Sequence, residues 1–131
     1  MHATVRKKLK EILQMLEGEN SIFIFGCGSC ATQCMSGGQA QVEEMRRLLE
    51  DAGKIVAGTA VPDTCCSQGT LRKAILELRA AHLEIDSYLV LACGQAVHTV
   101  IDATDGAPVH PGCDTVFGGE AHFRNVFKEY C

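Results

Sequence analysis

The run Gly26-Cys27-Gly28-Ser29-Cys30-Ala31-Thr32-Gln33-Cys34 sets three thiols at C-x2-C-x3-C spacing inside a glycine-rich segment. Three cysteines in one loop, completed by a fourth from elsewhere, are a common way to hold a [4Fe–4S] cluster. Gly26, Gly28, Gly37 and Gly38 let the backbone wrap closely and turn amide N–H groups toward sulfur, which stabilises a cluster's negative charge. The ferredoxin run is C-x2-C-x2-C and differs from this one by a single residue. For the fourth ligand the two candidates are Cys66, in Asp63-Thr64-Cys65-Cys66-Ser67, and Cys93, in Ala92-Cys93-Gly94. A metal loop normally uses one of two adjacent cysteines, so Cys65 reads as a small buried hydrophobe, and Cys113 admits the same reading. The remaining thiols suffice for a second nearby site.

Two other chemistries fit part of this set. Structural zinc takes four thiolates, but its usual sign is a pair of C-x2-C knuckles and this chain has one. A thioredoxin-like dithiol needs only Cys27 and Cys30 between a strand and a helix, and it leaves Cys34 and the distant cysteines without a role. Among the histidines, His2 and His82 read as solvent-facing, His98 as a partly buried core imidazole, and His110 as an outside candidate for metal or substrate contact. Glu43, Glu44, Glu50 and Asp51 read as the solvated face of a helix. The sequence carries neither a Ser-His-Asp set nor a G-x-x-x-x-G-K-[ST] loop. Gly26-x-Gly28 lacks the third glycine of a dinucleotide fingerprint.

The elements that must position these thiols follow from hydrophobic periodicity. Val5, Leu9, Ile12, Leu13 and Leu16 predict a helix over residues 4–17, closed by Gly18. The apolar run 21–25 predicts a buried strand, 40–52 a helix through Val42, Met45, Leu48 and Leu49, and 54–61 a second strand interrupted by Gly58. A helix over about residues 69–83, a strand over 87–92, a short helix over 95–103 and a strand opening at Pro108-Val109 follow. A last helix is expected over 119–130 through Phe123, Val126 and Phe127. Strands alternating with helices predict one α/β domain over residues 1–131, a three-layer sandwich with a mainly parallel sheet, flavodoxin- or Rossmann-like. In such sheets ligands sit beyond the carboxyl ends of the strands, and that is where these cysteines fall.

Composition narrows the function further. At 131 residues, 47% hydrophobic and 21% charged, the chain is globular. A formal charge of −4 and 5% aromatic residues with no tryptophan exclude a basic or base-stacking nucleic-acid surface. No run of 18 apolar residues and no signal-like segment is present, so a cytoplasmic chain with reduced thiols is expected, possible as a homo-oligomer. Eight cysteines in such a setting point to metal or redox chemistry.

The order Gly26-Cys27-Gly28-Ser29-Cys30, Cys34, Gly37-Gly38, then Val42-Glu43 and Leu48, resembles the methylenetetrahydrofolate reductase C-terminal domain family, which includes the MetV-type iron–sulfur accessory subunit. Cys66, Ala92-Cys93-Gly94 and Thr115-Val116-Phe117-Gly118 continue the likeness, which runs from about Leu9 to Cys131. The resemblance implies an iron–sulfur protein, itself non-catalytic, that partners the flavin-bearing catalytic subunit of methylenetetrahydrofolate reductase in one-carbon metabolism. Its cluster would pass electrons or hold the complex together. Carried over residue by residue, the ligand pool is Cys27, Cys30, Cys34, Cys66 and Cys93. No residue set recognisable as a pterin or flavin site accompanies it. Family members continue into a further cysteine-rich segment where this chain reaches Cys131, which implies a C-terminally shortened form or a short variant with one cluster fewer. Val109-His110-Pro111-Gly112-Cys113-Asp114 departs from the family's stretch and leaves Cys113 outside the carried-over set.

Overall fold

In the computed structural model, which describes residues 1–121 and 127–130, the chain runs β1 (His2–Arg6), α1 (Leu9–Met15), β2 (Ser21–Phe25), α2 (Cys30–Gln33), α3 (Gln39–Asp51), β3 (Ile55–Ala60), α4 (Gln68–Ala80), β4 (Ser87–Val90), α5 (Gly94–Ala103), β5 (Val109–Pro111), β6 (Cys113–Ala121) and β7 (Phe127–Glu129). Two sheets result: a four-stranded all-parallel one ordered β3-β2-β4-β5, and a three-stranded antiparallel one ordered β1-β6-β7. The expected mixed α/β architecture with a parallel sheet is therefore present, and the antiparallel sheet is an addition to it.

Strand β2 shows why the parallel sheet forms. Successive side chains of a strand point to opposite faces, and a strand buried on both faces is apolar throughout. Phe23 and Phe25 join Tyr88 and Val90 of β4 in one core cluster, with Leu71 and Ile75 of α4 and Ala96 and Val100 of α5. Ile22 and Ile24 face the other way, with Leu89 and Leu91, and meet Ile12 and Leu16 beside Val42, Met45 and Leu49 of α3. Phe23 and Phe25 lie 4.9 Å apart, centroid to centroid, in tilted contact. Full burial of each such side chain contributes roughly 1.5–3 kcal/mol.

The strand order fixes where a ligand crevice opens. From β2 the chain passes through α3 to β3 on one side, then returns through α4 to β4 on the other side of β2. Beyond the carboxyl ends of β2 and β4 the connections diverge, which is the topological switch point of an open parallel sheet.

Two expected helices are corrected. Residues 4–6 of the expected 4–17 helix belong instead to β1 (His2–Arg6), and helix begins only at Leu9. Thr4 and Val5 are β-formers, and β6, more than a hundred positions later, supplies the pairing edge that periodicity cannot register. The expected 119–130 helix is likewise replaced by the end of β6 and by β7, paired through Gly119↔Glu129 and Glu120↔Lys128. Phe123 and Val126, which suggested that helix, lie outside the described residues. Gly58 does not break β3; it coincides with a register shift against β2 between Ile22 and Phe23.

Candidate metal centre

The loop after β2 is fastened to the loop after β3 by backbone hydrogen bonds. Gly26 N–H donates to Ala60 O and Gly28 N–H to Pro62 O, both at 2.8 Å. Cys27 N–H donates to Gly37 O at 2.9 Å, and Thr32 Oγ1 donates to Cys27 O at 2.6 Å, so the loop also folds back on itself. Ser29 Oγ donates to Asp63 O at 2.6 Å. This zipper carries the C-x2-C segment alongside Cys65 and Cys66.

The glycines act here through close approach. A Cβ on Gly37 would overlap Leu91 O, and one on Gly28 would stand 3.1 Å from Asp63 Cα. Their amides do not turn toward sulfur as expected. Gly26 and Gly28 donate to the carbonyls just named, Gly37 to Ala31 O at 3.2 Å, and Gly38 to Gln41 Oε1 at 3.1 Å as α3 begins. Among the described residues, the N–H that reaches a sulfur is that of Cys65, 3.4 Å from Cys27 Sγ.

Four cysteines line one small cavity: Cys27 and Cys30 after β2, Cys66 after β3 and Cys93 after β4, with His2, Ser29 and Thr64 among its other lining residues. Cys27 and Cys93 are buried, and Cys30 and Cys66 are half-buried. Helix α4 starts two residues beyond Cys66, and Cys93 is the N-cap of α5, so the positive ends of two helices flank the thiols. Both candidate fourth ligands, Cys66 and Cys93, are on the cavity. Cys34 is not. It lies at the end of α2, and its charge is a minor influence on the thiol of Cys113, a buried residue whose Sγ donates weakly to Ser36 O at 3.7 Å. The three cysteines of the C-x2-C-x3-C run are thus divided between two places.

Burial and neighbouring thiols hold Cys65 and Cys66 in the protonated form. Burial pushes the Cys66 thiol up, and charge on Cys93, Cys27 and Cys30 pushes it further. Burial likewise raises Cys65 to about 12, with Cys27, Cys66 and Cys93 adding to the effect. Four ionised sulfurs on one wall repel unless a metal ion neutralises them, which is why metal uptake releases thiol protons. Cys65 is buried and held protonated, and its amide reaches Cys27 sulfur.

The histidines depart from expectation. His2 is half-buried and lines the cavity rather than facing solvent, and its placement depends on β1, the last three residues of which fall in the expected 4–17 helix. His98 is exposed on α5 and not part of a core. His110 is engaged elsewhere, with Nε2 2.8 Å from Glu19 Oε2. His82 is exposed, as expected.

Four cysteines on one cavity are the donor type that thiolate-held metals use. Among the described residues, no three His, Cys, Asp or Glu side chains already surround one ion position. A tetrahedral zinc holds four sulfurs about 2.3 Å from a single centre, whereas a cubane offers a separate iron to each thiolate and so accepts ligands spread around it. The cavity measures about 30 Å³, room for a single small ion or a water or two. A cubane therefore requires the wall at Ser29 and Cys30 to move outward, and both residues also border an open depression of about 280 Å³ beside Met1, Gln33 and Glu120.

No protein-family model, curated protein or solved structure matches the chain. Among the described residues, no helix is long and apolar enough to cross a membrane.

Proposed function

We propose that this chain is an iron–sulfur module in which Cys27, Cys30, Cys66 and Cys93 hold a [4Fe–4S] cluster. The observation that carries the reading is that four thiols from the ends of three parallel strands line one cavity at the switch point of the sheet. The strand order β3-β2-β4-β5, with helices packed into core clusters on both faces, supports a three-layer, flavodoxin-like frame for that site. When bound, the cluster supplies one-electron transfer. The chain's own residues do the rest: the 26–28 and 60–62 zipper fixes two ligand loops against each other, and Cys65 N–H supports Cys27 sulfur. Half-buried Cys30 and Cys66 keep the site close to the surface, as transfer to a partner protein requires.

With the resemblance noted above, the partner proposed is the flavin-bearing catalytic subunit of a cytoplasmic methylenetetrahydrofolate reductase, beside which this chain acts as a non-catalytic electron-transfer or accessory subunit. The small cavity favours one second reading, a single zinc ion pinning the three loops of an interaction domain. Anaerobic purification with iron, sulfide and zinc assays on one sample separates the two. About four iron and four sulfide per chain with broad visible absorption support the cluster. A colourless protein with about one zinc supports the structural site. Co-purification of a flavoprotein then tests the partner.

A further inference from the structure

Helices α4 and α5 share one core cluster, on the Phe23 and Phe25 face of the parallel sheet. Two cross-links fix their ends. At one end Thr99 Oγ1 of α5 donates to Cys66 O, just ahead of α4, at 3.3 Å. At the other, Arg79 Nη2 of α4 donates to Asp105 Oδ2, just past α5, at 2.7 Å. Between these ties the two helices leave a cleft of about 260 Å³. Its apolar lining is Ile75, which is buried, with Ala103 and Leu76, and Leu76 stands 58% exposed.

Two opposite charges line the same cleft, Arg72 from α4 and Asp102 from α5. The other polar groups there are committed: Arg79 to Asp105, and the Thr99 hydroxyl to Gln95 O and Cys66 O. Arg72 and Asp102 are not. Among the described residues neither side chain makes a hydrogen bond or an ion pair, with the other or with any third group. A simple anion would be drawn to Arg72 but repelled by Asp102, and a simple cation would meet the reverse. A molecule carrying both charges a short distance apart answers both, and an apolar side chain on it would cover Leu76. Ligand sites often lie between helices, with apolar walls and a few placed polar groups, at about 300–1,000 Å³. This cleft is at the small end of that range, a size for an amino acid rather than a nucleotide.

We propose that the α4–α5 cleft binds a small zwitterion of the apolar α-amino-acid class, its carboxylate on Arg72, its ammonium on Asp102 and its side chain against Ile75, Leu76 and Ala103. The site is distinct from the thiol cavity and stands whether or not a metal binds there.

The test titrates the isotopically labelled full chain with L-leucine at millimolar concentration and follows backbone amide shifts by nuclear magnetic resonance. Two further probes each lack one charge: isocaproate has no ammonium and isoamylamine no carboxylate. Saturable shifts confined to residues 68–79 and 99–103 are expected with leucine, and each single-charge probe is expected to bind about tenfold more weakly or worse, as loss of one charged hydrogen bond implies. Arg72→Met and Asp102→Asn, both at exposed positions, are expected to weaken leucine by a similar factor. No shifts with leucine, or shifts centred outside the two helices, overturn the proposal. Isocaproate binding as tightly as leucine overturns it too, since the cleft would then be an anion site. So does wild-type affinity in either variant. The comparison of the three probes needs no variant, so it decides the matter even where a substitution disturbs the fold.

Discussion

The amide of Cys65 donates to Cys27 Sγ across 3.4 Å, joining the loop after β3 to the first cysteine of the loop after β2. Two adjacent cysteines thereby take different parts: Cys66 turns its thiol to the cavity, while Cys65 contributes its backbone and buries its side chain.

That division predicts opposite outcomes for neighbouring substitutions. Cys65→Ala keeps the amide and is expected to retain full metal content, at a stability loss of about 1 kcal/mol for the small volume removed. Cys27→Ala removes both a candidate ligand and the sulfur that receives the amide, and is expected to abolish stoichiometric metal. Metal assay and urea denaturation on the two variants measure both effects.

Gly37 sets a steric limit on the same loop. A Cβ there would overlap Leu91 O, a backbone atom beyond the end of β4 that has no side-chain freedom with which to yield. Gly37→Ala is therefore expected to destabilise the fold by about 1–3 kcal/mol or more, as overpacking does in well-filled interiors. Gly53→Asn is a useful contrast. Gly53 has a φ of +88° and open space around it, so asparagine, which tolerates that conformation, is expected to cost less than Gly37→Ala. Denaturant midpoints of the two variants rank them.

How far the sequence discloses this molecule depends on the range of the interaction involved. Strands 21–25 and 87–90 and helices α3, α4 and α5 were legible because both faces or one stripe of each is apolar at the right period, a local property. The cysteine loops were legible as rim loops for the same reason, once the parallel strands were recognised. Strands β1 and β6 were not, because each is stabilised by the other across the whole chain length. His2 was missed with β1. The absence of Cys34 from the cavity that Cys27 and Cys30 line was hidden too: sequence spacing records proximity along the chain, and the short helix α2 intervenes before Cys34.

Cys113 gives the fold a predictable alkaline limit. Burial is the leading cause that lifts its thiol from 9.0 to about 12, and the thiol is 5% exposed. The unfolded chain loses this proton above about pH 9 while the folded chain retains it. The contribution is thus fully present below pH 9 and is lost as pH rises toward 12. The expected slope is about −1.4 kcal/mol per pH unit in that window from this residue. Urea denaturation of metal-free protein at successive alkaline pH values should show it, and Cys113→Val, which removes the ionisable group, should flatten the slope by that amount.

The division of the C-x2-C-x3-C run yields the sharpest contrast in ligand assignment. If spacing along the chain chose the ligands, Cys34 would belong with Cys27 and Cys30, and one of Cys66 or Cys93 would be dispensable. The cavity instead gathers Cys27, Cys30, Cys66 and Cys93, and Cys34 is not on it. Cys34→Ala is accordingly expected to keep the wild-type metal content and visible spectrum. Cys66→Ala and Cys93→Ala are each expected to lose stoichiometric metal, because removing either leaves three thiolates where the bound group needs four. Metal and sulfide counts on the three variants, purified side by side without oxygen, decide the assignment. Loss of metal in Cys34→Ala with full retention in Cys66→Ala would return the site to the sequence-adjacent triad.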